Sequence, residues 1–266
     1  MKHRKLNHDQ LDLLHAVYRF RFATRSLLAD YLDKPNNTSL YSRIRILEKY
    51  QYLYRRYEPS YRLAGREAEF SVAYKGAQLL RDHKLIEGPD TLLQATYKDK
   101  AVSSDYVQQL TLIFAIRNIL SNLYDLQWFT GRDIATLEYF PAKKPTAFLS
   151  LKVGEQVIRC FVEYVPSGTS SVKIRSRLKQ YSTYFQQDAW GVTELPFPKI
   201  LYITEDGFTE QGVRYHIKRE LYHADTDIEY YTTTQKALLA IQDGHTAIWT
   251  GSATDDELLA LDSLPT

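Results

Sequence analysis

Eight basic residues against two acidic ones lie between Lys34 and Arg66, with Tyr41, Tyr50, Tyr52, Tyr54, Tyr57 and Tyr61 interleaved. Guanidinium and ammonium groups neutralise phosphates and release their counterions, and phenol hydroxyls add hydrogen bonds to phosphate oxygens. The chemistry open to such a set is polyanion binding. The same residues also suit a solvated basic surface over an aromatic core, and each tyrosine singly fits core or strand packing. Catalytic groupings are harder to assemble. The seven histidines, at positions 3, 8, 15, 83, 216, 223 and 245, include no His-x-His pair, and nothing selects one of the 21 tyrosines as a nucleophile beside a metal. No glycine-rich phosphate loop or Ser-His-Asp arrangement is present. The single cysteine, Cys160, excludes an internal disulfide, and a four-ligand Cys/His zinc site cannot be assembled. A reducing, cytoplasmic setting is therefore expected.

The charge is segregated along the 266 residues. Met1–Lys84 carries 17 Lys/Arg and 9 Asp/Glu, whereas Leu85–Thr266 carries 17 and 23, so a net charge of +2 hides a positive module joined to a negative one. That asymmetry favours a polyanionic partner for the first module. At 44% hydrophobic and 25% charged the chain is globular, which excludes a disordered, collagen-like or coiled-coil protein. No run approaches 18 consecutive apolar residues, and Met1-Lys2-His3-Arg4-Lys5 lacks the apolar core of a signal peptide, so no membrane association is expected.

The elements of the first module follow from caps and spacing. Asn7 or Asp9 caps a helix through Leu11, Leu14, Ala16, Val17 and Tyr18, and Thr24 caps a second through Leu27, Leu28, Tyr31 and Leu32, stopped by Asp33-Lys34-Pro35-Asn36-Asn37. A third begins near Thr38 or Ser39, with Leu40, Ile44 and Leu47 for the core and Tyr41, Arg43, Arg45 and Lys49 mostly elsewhere on its circumference. Two β-rich runs, Tyr52–Tyr57 and Glu69–Tyr74, flank a basic loop, and a closing helix opens at Tyr74.

Three helices, a two-stranded wing and a closing helix resemble a winged helix-turn-helix over 1–84. The resemblance implies that the third helix lies in the major groove of double-stranded DNA. Asn37, Thr38, Ser39 and Tyr41 would then meet bases or phosphates, Arg43, Arg45 and Lys49 guanine edges or backbone, and the wing residues Arg55, Arg56, Arg62 and Arg66 the flanking backbone. Winged-helix proteins commonly bind as dimers on paired half-sites, which admits a homodimer.

Residues 85–101, with Gly88-Pro89-Asp90, show no strong period and read as a linker that admits a short strand or turn. Beyond them, 102–266 reads as helix, sheet, helix, strand, helix, strand, helix. Ser103 or Ser104 caps the longest helical pattern. Four β-type runs follow, Leu126–Thr130, Ile134–Phe140, Thr146–Leu151 and Val157–Val165, and then a polar helix from about Val172 to Gln187. Lys173, Arg175, Arg177 and Lys179 alternate on that helix and form a second candidate DNA or dimer contact. Strands at Pro198–Thr204 and Ile228–Thr232 and helices at Thr209–Tyr222 and Gln235–Ile241 complete an α+β or α/β layout.

Leu126-Gln127-Trp128, Lys144-Pro145-Thr146-Ala147-Phe148, Phe161-Val162-Glu163-Tyr164-Val165 followed by Gly168-Thr169, Arg177-Leu178-Lys179-Gln180-Tyr181 and Gly244–Trp249 resemble, in order and spacing, the replication-relaxation family of plasmid and mobile-element proteins. That resemblance implies a bacterial protein with a winged helix followed by a restriction-endonuclease-like α/β domain, and partners among replication or transfer proteins. Nucleases of this fold pair an aspartate after the proline with a Glu-x-Lys strand, which together hold Mg2+ and its water against a phosphate. Here Thr146 stands for the aspartate and Val165 for the lysine, leaving Glu163 as a vestigial catalytic candidate. The resemblance therefore implies a DNA-binding protein of a mobile element, acting in replication, transfer or their regulation without catalysis and without a cofactor. Two alternatives stay open. One is a Mg2+-dependent nuclease or nickase completed by a shifted Lys144, Lys152, Lys173 or Glu138, and the other is a transcriptional repressor.

Overall fold

The computed structural model describes residues 5–252 and 257–265; Met1–Arg4, with His3, lie outside them. It divides into two compact units, Met1–Asn118 and Ile119–Thr266. Among the described residues there are ten α-helices and nine strands, in one two-stranded and one seven-stranded sheet. No described helix is long and apolar enough to cross a membrane.

In the first unit, α1 (His8–Phe20) starts at Asn7, whose side chain accepts from Gln10 N while the Gln10 side chain accepts from Asn7 N. Thr24 caps α2 (Arg25–Tyr31) and Asn37 caps α3 (Thr38–Lys49), each by accepting a backbone N–H of the first turn. Leu40, Ile44 and Leu47 are fully buried, as the spacing predicts. At about 1.5–3 kcal/mol for each buried side chain, this stripe fixes which face of α3 remains in water. Strands β1 (Leu53–Arg56) and β2 (Glu69–Val72) pair antiparallel, Leu53 opposite Val72. Their connection differs from the expected loop: Pro59 at the first turn starts a five-residue helix, α4 (Pro59–Leu63), anchored by the buried Tyr61. Next comes α5 (Tyr74–Asp82). A Cβ at Gly76 in this helix would stand 2.3 Å from the carbonyl oxygen of Tyr52, so only glycine allows the approach.

Residues 85–101, expected as a linker with at most a short strand or turn, are helical from Asp90 on. They form α6 (Asp90–Lys98) and a 3₁₀ turn at Asp99–Ala101, and the division between units falls later, inside α7 (Ser104–Leu123). The reason is burial: Asp99 is 2% exposed and accepts from Arg21 at 2.6 Å, and Phe114 of α7 stacks on Phe20 at 3.7 Å. The apolar residues of this stretch complete the first unit's core, and their weak period concealed it.

The second unit is a mixed sheet in the order β3 (Leu126–Thr130), β4 (Ala147–Val153), β5 (Gln156–Val165), β6 (Lys199–Thr204), β7 (Tyr230–Thr234), β8 (Trp249–Gly251), β9 (Leu258–Leu259). The pairs β3–β4 and β4–β5 are antiparallel, β5–β6 and β6–β7 parallel. Parallel neighbours need crossovers, supplied by α8 (Ser171–Gln186) and α9 (Gly207–Ala224), while α10 (Gln235–Ala240) follows β7 directly. The run Ile134–Phe140 is a series of turns and no strand. Asp133 accepts the Thr130 N–H at 2.7 Å and stops β3, so the apolar residues beyond, Ile134 and Phe140, enter the core from a loop. Cys160 on β5 is fully buried.

Candidate nucleic-acid interface

With its apolar stripe buried, α3 turns Thr38, Tyr41, Ser42, Arg45 and Lys49 to solvent along one face, and Asn37 and Ser39 are exposed at its start. Asn37 Oδ1 is engaged by the Ser39 N–H at 2.9 Å and the Leu40 N–H at 3.3 Å. Its carbonyl side is therefore a cap, which leaves the side-chain amide N–H groups to face outward. Two guanidiniums approach the Tyr41 ring, Arg25 at 5.9 Å and Arg45 at 6.0 Å from its centroid. The sequence reading missed Arg25, the first residue of α2; the signal was its place directly after the Thr24 cap.

Three predicted contacts are engaged within the protein. Arg43 pairs with Asp9 at 2.9 Å, and Lys34 reaches the same carboxylate at 2.6 Å. Those cations, Lys34 first, hold the Asp9 carboxyl below the ordinary range. Arg56 donates to Val102 O and to Ser104 Oγ, both at 2.8 Å, and Arg66 pairs with Glu69 at 2.7 Å while stacking 4.2 Å over Tyr61. These three brace the unit, and the exposed cations of the predicted set are Arg45, Lys49, Arg55 and Arg62. Around the β1–β2 connection, then, Arg55 and Arg62 point to solvent and Arg56 and Arg66 do not.

The predicted second contact is also redistributed. The buried stripe of α8 is Ile174, Arg177, Leu178 and Tyr181, so Arg177 faces the sheet and only Lys173, Arg175 and Lys179 are exposed. This corrects the reading of Arg177 as an open DNA or dimer contact. Its five donor hydrogens are all in use. Nε and Nη2 reach Glu163 Oε1, Nη1 donates to Lys143 O at 2.6 Å and Gln180 Oε1 at 2.5 Å, and Nη2 also donates to the Tyr181 hydroxyl at 2.9 Å. Tyr181 in turn donates to Glu163 Oε1 at 2.5 Å. Burial works against the Arg177 charge, but Tyr181 and Glu163 more than offset it and leave its pKa raised. Burial first, and then Glu163, push the Tyr181 hydroxyl well up.

Glu163 is thus a structural ion-pair partner. Thr146 accepts the Tyr164 N–H through Oγ1 at 3.3 Å, so it sits beside Glu163 but adds no charge there. Of the lysines considered as replacements, Lys144 is tied to the carbonyl of Leu137 at 2.6 Å, and Lys152 and Lys173 are exposed, as is Glu138. Among the described residues, no group of three or more His, Cys, Asp or Glu side chains is placed to hold a metal ion.

No protein-family model and no curated protein matches this chain. A solved structure of the restriction endonuclease FokI shows a weak likeness, with 10% identity and a TM-score of 0.32. The match covers 87% of this chain and 42% of that one, so this chain spans less than half the length of the enzyme.

Proposed function

We propose that this chain binds double-stranded DNA through the exposed face of α3, with the first unit acting as a winged helix-turn-helix and β1, α4 and β2 as its wing. The observation that carries the reading is the separation of roles on α3: Leu40, Ile44 and Leu47 anchor it, while Thr38, Tyr41, Ser42, Arg45 and Lys49 are left in water on one face. Hydroxyls and a guanidinium at that spacing suit base edges and phosphates in a major groove. Arg25 joins them through Tyr41, and Arg55 and Arg62 supply backbone contacts from the wing. In this reading the second unit is a restriction-endonuclease-like scaffold that does not cleave. Support comes from Glu163, whose Oε1 is taken up by Arg177 and Tyr181, and from a threonine where a second carboxylate is needed. The same proposal places the protein in the cytoplasm of a bacterium that carries a plasmid or other mobile element, acting with replication or transfer proteins and as a homodimer on paired half-sites.

Selection of bound duplexes from a random DNA pool, followed by gel-shift titration, tests it. The reading expects an enriched sequence, and Arg45→Ala with Lys49→Ala should weaken binding to that sequence by at least about tenfold. No enrichment, or unchanged affinity in the folded double variant, would overturn it.

A further inference from the structure

The second unit also holds an aromatic cavity that neither the DNA-binding face nor the Glu163 cluster uses. Its volume is ≈ 230 Å³. Phe129 of β3 and Phe148 of β4 line it from the sheet, Ile134 and Phe140 from the loop after β3, and Trp190 from the segment after α8. Phe140 meets Phe148 and Trp190 edge-on at centroid distances of 5.3 and 5.6 Å.

The walls are fastened independently of any ligand. The Trp190 indole N–H donates to the carbonyl of Pro196 at 3.0 Å, Lys144 Nζ donates to the carbonyl of Leu137 at 2.6 Å, and the Tyr184 hydroxyl donates to the carbonyl of Tyr139. A cavity held open in this way takes a ligand without an ordering cost. An apolar cavity of about 150 Å³ accommodates benzene, so one ring with a short side chain fits here.

One lining residue carries charge. Arg159 lies on β5, two positions before Phe161 and on the same face of the sheet. Arg21, Arg43, Arg66 and Arg177 each pair with a carboxylate. Arg159 has no such partner among the described residues, and its Nη1 makes a long 3.4 Å contact with the carbonyl of Val157. The guanidinium fork matches a carboxylate through two parallel hydrogen bonds. A phosphate dianion would call for further charged donors, and Arg159 is the one charged residue of the lining; the Thr193 hydroxyl already donates to the carbonyl of Trp190 at 2.9 Å, which leaves the neutral Tyr139 hydroxyl beside it.

We propose that this cavity binds a small aromatic monocarboxylate, with its ring among Phe140, Phe148 and Trp190 and its carboxylate on Arg159. The site is independent of the DNA-binding reading and stands or falls separately.

The test uses the full chain with 3-phenylpropionate as probe and 3-phenylpropanol, its uncharged analogue, as control, followed by ligand-detected NMR titration. The acid should bind about tenfold or more tightly than the alcohol, the margin of a charge-assisted bidentate contact. Arg159→Gln should erase that margin and leave the alcohol's affinity unchanged. Leu195→Trp, a substitution at a lining residue 39% exposed, should weaken both probes about tenfold without lowering the melting temperature. Absence of acid binding, equal affinity for acid and alcohol in the unaltered chain, or acid binding that both variants leave intact would each overturn the proposal.

Discussion

Replacing Arg177 by methionine isolates what the buried ion pair contributes. The Arg177 and Glu163 side chains are 6% and 11% exposed, so their charged groups have little water to fall back on. Methionine keeps much of the volume but withdraws all five donor hydrogens; water can replace them at the exposed Lys143 and half-buried Gln180, whereas the buried Glu163 carboxylate is left with Tyr181 as its donor. An uncompensated buried charge of this kind costs about 3–5 kcal/mol. For a chain of this size that is a fall in melting temperature of roughly 6–20 °C. The double variant Arg177→Met with Glu163→Leu removes both charges together and should recover most of the loss, because a buried pair replaced by apolar groups is often near neutral. Urea unfolding of the two single variants and the double, followed by circular dichroism, gives the coupling energy, expected at about 3 kcal/mol or more. A loss below about 1 kcal/mol for Arg177→Met would mean that Glu163 is not held in the ion pair described, and the structural role assigned to it would fail.

Three further outcomes follow from the geometry. Arg45→Ala and Lys49→Ala should each flatten the slope of log affinity against log salt by about 0.9 for every phosphate that the removed cation had neutralised, while stability stays within about 0.5 kcal/mol, as measured by anisotropy and thermal melts in parallel. Gly76→Ala should destabilise the first unit by about 1–3 kcal/mol or more, since its Cβ would meet the carbonyl of Tyr52, and denaturant titration reads the loss directly. His216 is buried with Nδ1 lacking a hydrogen-bond partner, and burial, with Arg175 and Arg219 adding to it, lowers its pKa below 6.5. The unfolded chain then binds the proton more readily, so stability should be constant above pH 6.5 and fall as pH drops below it. In His216→Gln the fall just below pH 6.5 should be shallower, and an unchanged slope would rule the histidine out.

What the sequence disclosed was whatever depends on neighbours along the chain. The caps Asn7 and Thr24 and the Leu40-Ile44-Leu47 stripe could be read because a first-turn hydrogen bond and a helical face involve residues one to four apart. Ile134–Phe140 misled because apolar residues in a loop that dives into the core look like those of a strand; the stop signal, Asp133 folding back on Thr130, is a three-residue contact that the hydrophobic pattern outweighed. Residues 85–101 hid their helix because few of its side chains are apolar and buried, Leu93 among them, and its other contacts are Tyr97 on Tyr74 and Asp90 with Arg81, while the Asp99 that follows it is held by Arg21 from 78 positions earlier. Arg177 was open to better reading: with Ile174, Leu178 and Tyr181 it falls at the i, i+3, i+4, i+7 spacing of a buried face. Its partner Glu163 was visible as a lone strand carboxylate. That Arg43 and Arg56 are engaged could not be read, because Asp9 and the Val102 carbonyl reach them from distant positions, whereas the pairing of Arg66 with Glu69, three residues on, was open to a local reading.

The single thiol of the chain sits at Cys160 in an interior strand of the second sheet, closed off from solvent and with its ionisation pushed far up by burial. An alkylating reagent therefore has nothing to attack until that sheet comes apart. The rate at which a maleimide dye labels the native protein is consequently a clock for opening of the second unit, readable without any added probe site, and it reports on that unit while leaving the melting of the first one silent.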